Sequence, residues 1–222
     1  MSAQDQLKRT AAQKALEFVP ENAYIGIGTG STVNFFIEEL ANSGIRIKGA
    51  VSTSKATSEL LKQHGIPEVP LTEATELPVY IDGADEVNHS LQMIKGGGGA
   101  LLAEKIVASA AEKFVCIVDE SKYVSRLGKF PLPIEVVPMA RSMVARQIVL
   151  LGGQPELRIG CKTLHGNEIL DVHGLDLSEP MKMEDTLNRI TGVVENGLFA
   201  HRYADLLILA KKDGAEVIQA HV

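Results

Sequence analysis

The first half of the chain alternates two rhythms of apolar residues. Leu7, Ala11, Ala15 and Phe18 recur at helical spacing, and Pro20 ends that run. Tyr24, Ile25 and Ile27 make a short apolar stretch that reads as a buried strand. Val33, Phe36, Ile37 and Leu40 then return to the i, i+3, i+4, i+7 pattern of a helix. Ile47–Ser52 predicts a second strand. Ser54 stands where it can cap a helix carrying Ala56, Leu60 and Leu61, which Gly65 closes. Short strands are expected around Val69 and over Pro78–Ile81, an alanine-rich helix over about 100–113, and a buried strand over Phe114–Val118. Strands alternating with helices imply a mostly parallel sheet covered on both faces.

The texture changes at Phe130–Pro133. Beyond it the pattern reads strand (Ile134–Val137), helix (Ala140–Leu151), strand (Glu156–Ile159), strand (Glu168–His173), helix (Lys182–Ile190) and strand (Gly192–Phe199). That order is the split β-α-β-β-α-β arrangement of a ferredoxin-like fold. The stretch from Ala204 reads as a hairpin turning at Asp213-Gly214, expected to return to the first sheet. The expected class is α/β, with one domain over residues 1–131 and 207–222 and a smaller α+β domain over 132–206. No internal repeat or low-complexity segment interrupts it.

Composition narrows the partners. An apolar fraction of 45% over 222 residues allows a real core. No apolar run approaches the roughly 20 residues of a membrane span, and the opening MSAQDQLKRT lacks the apolar segment of a signal peptide. Cys116 and Cys161 lie far apart without C-x-x-C spacing, which points to a reduced, cytoplasmic setting. A net charge of −6 without a basic tract argues against nucleic acid and anionic membrane as partners, and the absence of Trp argues against a base-stacking platform.

Four turns carry the candidate chemistry. Gly26, Gly28, Gly30, Ser31 and Thr32 lie between a strand and a helix start, where backbone N–H groups and the helix dipole suit an anion. A dinucleotide fingerprint would need glycine where Ser31 stands, and a P-loop would need a lysine that is missing; a single phosphate group is favoured over a nucleotide. Asp82-Gly83-Ala84-Asp85-Glu86 supplies carboxylates at a strand end, although turn formation and capping alone explain many Asp-Gly pairs. Lys95 precedes four glycines, Gly96–Gly99, whose ordering cost suggests a loop that wraps a ligand closely. Asp119–Lys122 adds a second lysine. All four turns are expected beyond the carboxyl ends of strands in the parallel sheet, where open α/β sheets bind ligands.

Glu104 shares a helix face with Ala100, Val107, Ala108 and Ala111, small and apolar enough to pack on the sheet. A glutamate at the edge of that face is partly desolvated, which raises a carboxylate's pKa and suits a general base. In most helices of this kind, however, it would be an ordinary surface glutamate. His64, His89, His165, His173, His201 and His221 show no ligand spacing and avoid the glycine loops, so no metal site is expected. Cys116 reads as a buried strand residue, and no G-x-S-x-G elbow is present.

Taken together, Gly28-Thr29-Gly30-Ser31-Thr32, Asp82-Gly83-Ala84-Asp85-Glu86, Lys95-Gly96-Gly97-Gly98-Gly99 with Glu104, and Gly128-Lys129-Phe130-Pro131-Leu132-Pro133 resemble the type A ribose-5-phosphate isomerases in order and spacing. Each motif alone is weak; the four together are specific, and the resemblance spans essentially the whole chain. It implies a Rossmann-like domain with a smaller ferredoxin-like one. It also implies interconversion of D-ribose 5-phosphate and D-ribulose 5-phosphate in the non-oxidative pentose phosphate pathway, no cofactor, and a homodimer or dimer of dimers. By this resemblance Glu104 is the base, with Asp82, Asp85 and Lys95 at the other catalytic positions. The substrate segments are Thr29, Gly30, Ser31 and Thr32; Asp82, Gly83, Ala84 and Asp85; Lys95, Gly96, Gly97 and Gly98; and Lys122. Two readings compete. An amino-sugar phosphate isomerase/deaminase would be expected to place a histidine near these loops, which have none. A non-catalytic phosphosugar sensor would need neither Glu104 nor the paired aspartates.

Overall fold

A computed structural model describes residues 2–220; Met1, His221 and Val222 lie outside the described residues. In chain order the elements are α1 (Ala3–Ala15), β1 (Tyr24–Ile27), α2 (Ser31–Ser43), β2 (Gly49–Ser52), α3 (Lys55–Gln63), β3 (Val79–Asp82), β4 (Glu86–Val87), β5 (Met93–Ile94), α4 (Leu101–Ala110) and β6 (Lys113–Asp119). They continue with β7 (Leu132–Val136), α5 (Arg141–Leu150), β8 (Gln154–Leu157), β9 (Glu168–His173), α6 (Pro180–Asn188), β10 (Val193–Asn196), β11 (Leu198–Phe199), β12 (Leu206–Lys211) and β13 (Gly214–Gln219). The chain divides into two compact units. The first holds residues up to Ala84, Ala103–Tyr123 and those from Ala204 onward; the second holds Asp85–Leu102 and Val124–Tyr203.

The first unit is built on a six-stranded sheet in the order β13-β12-β6-β3-β1-β2. Every pairing from β12 to β2 is parallel, and only the β12–β13 hairpin is antiparallel, so the end of the chain does return to this sheet. The alternation of a strand sorts its residues by face. Ile25, Ile27, Val79 and Ile81 join Val115, Ile117 and Ile208 in a core with Ala11 and Ala15 of α1, Phe36, Ile37 and Leu40 of α2 and Leu61 of α3. Gly26, Tyr80 and Asp82 take the opposite parity. A Cβ on Gly26 would come within 2.7 Å of Val107 Cγ1 and 2.8 Å of Tyr80 Cδ2, so its missing side chain lets α4 lie close on that face.

The second unit contains a four-stranded antiparallel sheet, β10-β7-β9-β8, in the β-α-β-β-α-β order expected. Val144 and Ile148 of α5 and Leu187 of α6 pack on Ile134, Val136, Leu170 and Val172.

Three expectations are corrected. The strand expected over 192–199 is two strands in different sheets, because the chain breaks at Gly197: a Cβ there would overlap the Lys95 carbonyl. The strand expected around Val69 is only an isolated bridge, Ala50 to Glu68. The Lys95 turn does not follow a strand of the parallel sheet. It follows β5, which pairs antiparallel with β4 and β11 in a separate three-stranded sheet.

Candidate active site

In the first unit the turn after β1 is shaped by the carboxylate at the end of β3. Tyr80 pairs with Gly26 and Ile81 with Ile27. The Gly28 N–H continues the ladder to the Ile81 carbonyl at 2.9 Å, which sets Gly28 beside Asp82. A Cβ on Gly28 would overlap the Asp82 carboxyl group, so only glycine fits there. Asp82 is fully buried. Its Oδ1 accepts the Thr29 N–H at 3.1 Å and the Gly83 N–H at 2.7 Å, and its Oδ2 accepts the Tyr80 hydroxyl. The turn is braced from α3: the Thr57 hydroxyl donates to the Gly28 carbonyl at 2.7 Å, and the Ser54 hydroxyl to Thr29 Oγ1 at 2.9 Å. Ser54 also caps α3 as expected, accepting the Thr57 N–H.

Gly30, at φ 113°, is the N-cap of α2 and has no side chain with which to cap it. The first-turn N–H groups therefore receive no side-chain cap at the positive end of a 13-residue helix dipole, an arrangement suited to a phosphate.

Glu104 lies in the first turn of α4 and is only 3% exposed. With Asp82 it acts on the same buried phenol. Burial foremost, then the negative charges of Asp82 and Glu104, push the Tyr80 hydroxyl well above its ordinary pKa near 10. Tyr80 is thus a fixed, neutral donor to Asp82 at working pH. Lys122 closes a short 3-10 turn, Glu120–Lys122, begun by Asp119, whose carboxylate accepts the Ser121 N–H at 2.9 Å.

In the second unit Asp85 and the glycine loop are locked together. The Asp85 N–H bonds the Ile94 carbonyl at 2.9 Å, and Asp85 Oδ2 accepts the Gly97 N–H at 2.8 Å. Lys95 is 3% exposed; its N–H bonds the Gly197 carbonyl at 2.9 Å, and its ammonium stands 5.5 Å over the Phe199 ring. Gly96 and Gly99 take positive φ values of 103° and 78°, and the Gly99 N–H closes a turn onto the Gly96 carbonyl at 2.9 Å. Gly97 and Gly98 are exposed. Glu86 is buried and accepts the Gly128 and Phe130 N–H groups at 2.8 and 2.7 Å, which ties the Gly128–Pro133 turn to β4.

The expected residues thus fall in two groups: Thr29–Thr32, Asp82, Gly83, Ala84, Glu104 and Lys122 in the first unit, Asp85 and Lys95–Gly98 in the second. Sequence reasoning missed Tyr80, Gly197 and Arg158. Tyr80 looked like one more apolar strand position. Gly197 carried a usable signal, since an isolated glycine within a strand pattern marks a bulge or a close backbone approach. Arg158, whose guanidinium bonds the Gly96 and Gly97 carbonyls, carried none.

Among the described residues no group of three or more His, Cys, Asp or Glu side chains is placed to hold a metal ion, and no helix is long and apolar enough to cross a membrane. A family model described as ribose 5-phosphate isomerase A (phosphoriboisomerase A) matches residues 49–214. Ribose-5-phosphate isomerase A of Neisseria meningitidis serogroup C is 70% identical over 218 residues, 98% of each chain. The crystal structure of ribose 5-phosphate isomerase A from Neisseria gonorrhoeae, 67% identical, covers 100% of both chains with a TM-score of 0.97. A D-ribose-5-phosphate isomerase solved in complex with phospho-erythronic acid is 37% identical, covering 98% of this chain and 100% of that one with a TM-score of 0.93.

Proposed function

The chain belongs to the ribose 5-phosphate isomerase A family, and we propose that Glu104 is the base that carries a proton between C2 and C1 of the sugar. The enzyme interconverts D-ribose 5-phosphate and D-ribulose 5-phosphate. Family membership sets aside the deaminase and sensor readings.

The proposed division of labour follows from the chemistry each group offers. The phosphate is held by Thr29–Thr32 and the uncapped N–H groups opening α2. Its binding energy, spent far from the reacting carbons, positions them. Ribose 5-phosphate is mostly a closed ring, and Asp82 and Asp85 between them assist its opening. Glu104 then takes the C2 hydrogen as a proton. The electron pair forms the C1–C2 double bond and O1 becomes an oxyanion. A proton passes from O2 to O1, and Glu104 returns its own proton to C1 as the C2 carbonyl forms. One carboxylate working on one face of the sugar requires a cis-enediolate. Lys95 and the glycine-loop N–H groups stabilise the developing oxyanion, and Lys122 contributes positive charge to substrate binding. The burial of Glu104 in a regular helix is the observation that best supports its role: a shielded carboxylate on a rigid element suits proton transfer. The relative solved with phospho-erythronic acid supports a phosphorylated sugar-like ligand.

Glu104→Gln tests the assignment. It should keep binding of ribose 5-phosphate and lose turnover by on the order of a hundredfold or more. A near-normal kcat would reject it.

The proposal extends to a cytoplasmic homodimer or dimer of dimers. Cys116 and Cys161 are free thiols, and the second unit leaves Met139, Met143, Val149 and Leu150 exposed around α5. A monomeric mass in sedimentation would exclude the dimer.

A further inference from the structure

Four successive glycines are the most freely rotating stretch the chain could contain, and fixing each costs about 1–2 kcal/mol of backbone entropy. Their order in the second unit needs a cause. Arg158 provides one. Its Nη1 donates to the Gly96 carbonyl at 3.0 Å and to the Gly97 carbonyl at 3.1 Å. The remaining edge of the guanidinium is held by Asp171, with Nε to Oδ2 at 2.8 Å and Nη2 to Oδ1 at 2.5 Å. Arg158 follows directly on β8 and Asp171 lies in β9, so the fork is anchored across paired strands. A lysine could not reproduce it, because only the planar guanidinium binds a carboxylate on one edge and carbonyls on another.

The carbonyl and the N–H of a trans peptide point in opposite directions. Turning the Gly96 carbonyl to Arg158 turns the Gly97 N–H away from it, and that N–H is found on Asp85. The same constraint on the next peptide turns the Gly98 N–H away from the guanidinium, at an exposed residue. Arg158 therefore sets which way the donors of this loop face.

We propose that Arg158, anchored by Asp171, is a positioning residue for isomerisation: it fixes the Gly97 and Gly98 peptides, with the Gly97 N–H on Asp85, so that the loop after Lys95 presents the Gly98 N–H to the oxyanion. This rests on the reading of the glycine loop given above. Loss of the fork should cost turnover about tenfold or more, the effect of one misdirected charge-assisted contact realised in the transition state. KM should change little, since Ser31 and Thr32 are untouched.

The test uses the full chain with Arg158→Lys, Arg158→Met and Asp171→Asn. It measures kcat and KM for ribose 5-phosphate, and amide hydrogen exchange across the chain. The expected result is a kcat at least about tenfold lower for Arg158→Lys and Arg158→Met, KM within about threefold, and faster exchange confined to residues 96–99. Asp171→Asn should fall between. A kcat within about twofold of wild type, with or without faster exchange at the loop, overturns the proposal; so does a loss accompanied by faster exchange throughout 124–203, which marks general loosening. Should Arg158→Met not fold, Arg158→Lys carries the test. Full turnover in Glu104→Gln would overturn the base assignment alone and leave the Arg158 result intact.

Discussion

Replacing Tyr80 by Phe removes a single oxygen from the interior of the first unit, and its effect should depend on pH in a direction that can be worked out in advance. Tyr80 is fully buried beside Phe114, with ring centroids 4.9 Å apart, and a phenylalanine fits the same space. What is lost is the hydroxyl donated to Asp82 Oδ2. A hydrogen bond to a charged acceptor contributes about 1.5–3 kcal/mol. Asp82 keeps the Thr29 and Gly83 N–H groups, so a cost near 2 kcal/mol is expected, or a fall in Tm of about 4–8 °C for a chain of this length. The folded-state pKa of Tyr80 is raised, foremost by burial, well above the ordinary value near 10. A raised value means that the contribution of the neutral phenol is complete below about pH 10 and is lost as pH climbs, because the unfolded chain ionises there while the folded chain does not. The wild-type advantage should shrink by up to about 1.4 kcal/mol per pH unit, vanishing near pH 11.5. Urea unfolding of both proteins from neutral to alkaline pH measures it, and the difference in tyrosinate absorbance reports Tyr80 alone. An advantage that stays constant or grows with pH, or a phenol that ionises near its ordinary value in the folded protein, would refute the reasoning.

Gly28→Ala needs no unusual backbone angle, so its whole effect is steric: the methyl group meets the Asp82 carboxyl. It should destabilise the protein by about 1–3 kcal/mol and lower kcat, and an unchanged melting curve with full turnover would show that the turn yields without displacing Asp82. Ser31→Asp separates stability from binding. An acidic residue in the first turn of α2 favours the helix by about 0.3–1 kcal/mol yet repels the phosphate, so Tm should hold or rise while KM increases at least about tenfold; an unchanged KM would remove the phosphate from that turn.

The regular parts of this fold were legible because they carry a period. Val33, Phe36, Ile37 and Leu40 mark the buried face of α2, and all four are buried there. The order of strands and helices after Phe130 was enough to indicate the four-stranded sheet. What escaped has no period. Each strand of the three-stranded sheet is two residues long, too short to show a period even where β4 and β5 pair locally, and β11 is about a hundred residues from β5, with which it pairs. The same holds at the site. Glycines and acidic turns announce themselves by residue type, so the candidate turns stand out in the sequence. Tyr80 sits two positions before Asp82 on one strand face but reads as one more apolar residue of that strand, and Arg158 acts through carbonyls 62 and 61 residues away in the chain, which no short pattern encodes.

The carboxylates also divide by what their oxygens do, and this bears on which of them can move a proton. Asp82 accepts from two backbone N–H groups and a phenol, Asp85 from Gly97, Glu86 from Gly128 and Phe130, and Glu184 from Ala200 and His201. Each of these acids organises a turn by accepting its backbone donors, and each such bond to a carboxylate contributes about 1.5–3 kcal/mol where it is shielded from water. Taking a proton from carbon requires a carboxylate oxygen that can turn its lone pair to the substrate without releasing a loop. Asp82 has only Oδ2 left for this, since Oδ1 holds the Thr29 and Gly83 N–H groups and Oδ2 already accepts the Tyr80 hydroxyl, which suits it to assisting ring opening rather than to shuttling a proton between two carbons. Glu104 differs in where it is built: it rises from the first turn of a helix whose own hydrogen bonds maintain it, and the α4 face beneath it is fixed by the close packing of Val107 on Gly26. With Glu104 as the proposed base, proton transfer leaves the turns after β1 and β3 intact, whereas the same step at Asp82 would disturb the contacts that hold those turns together.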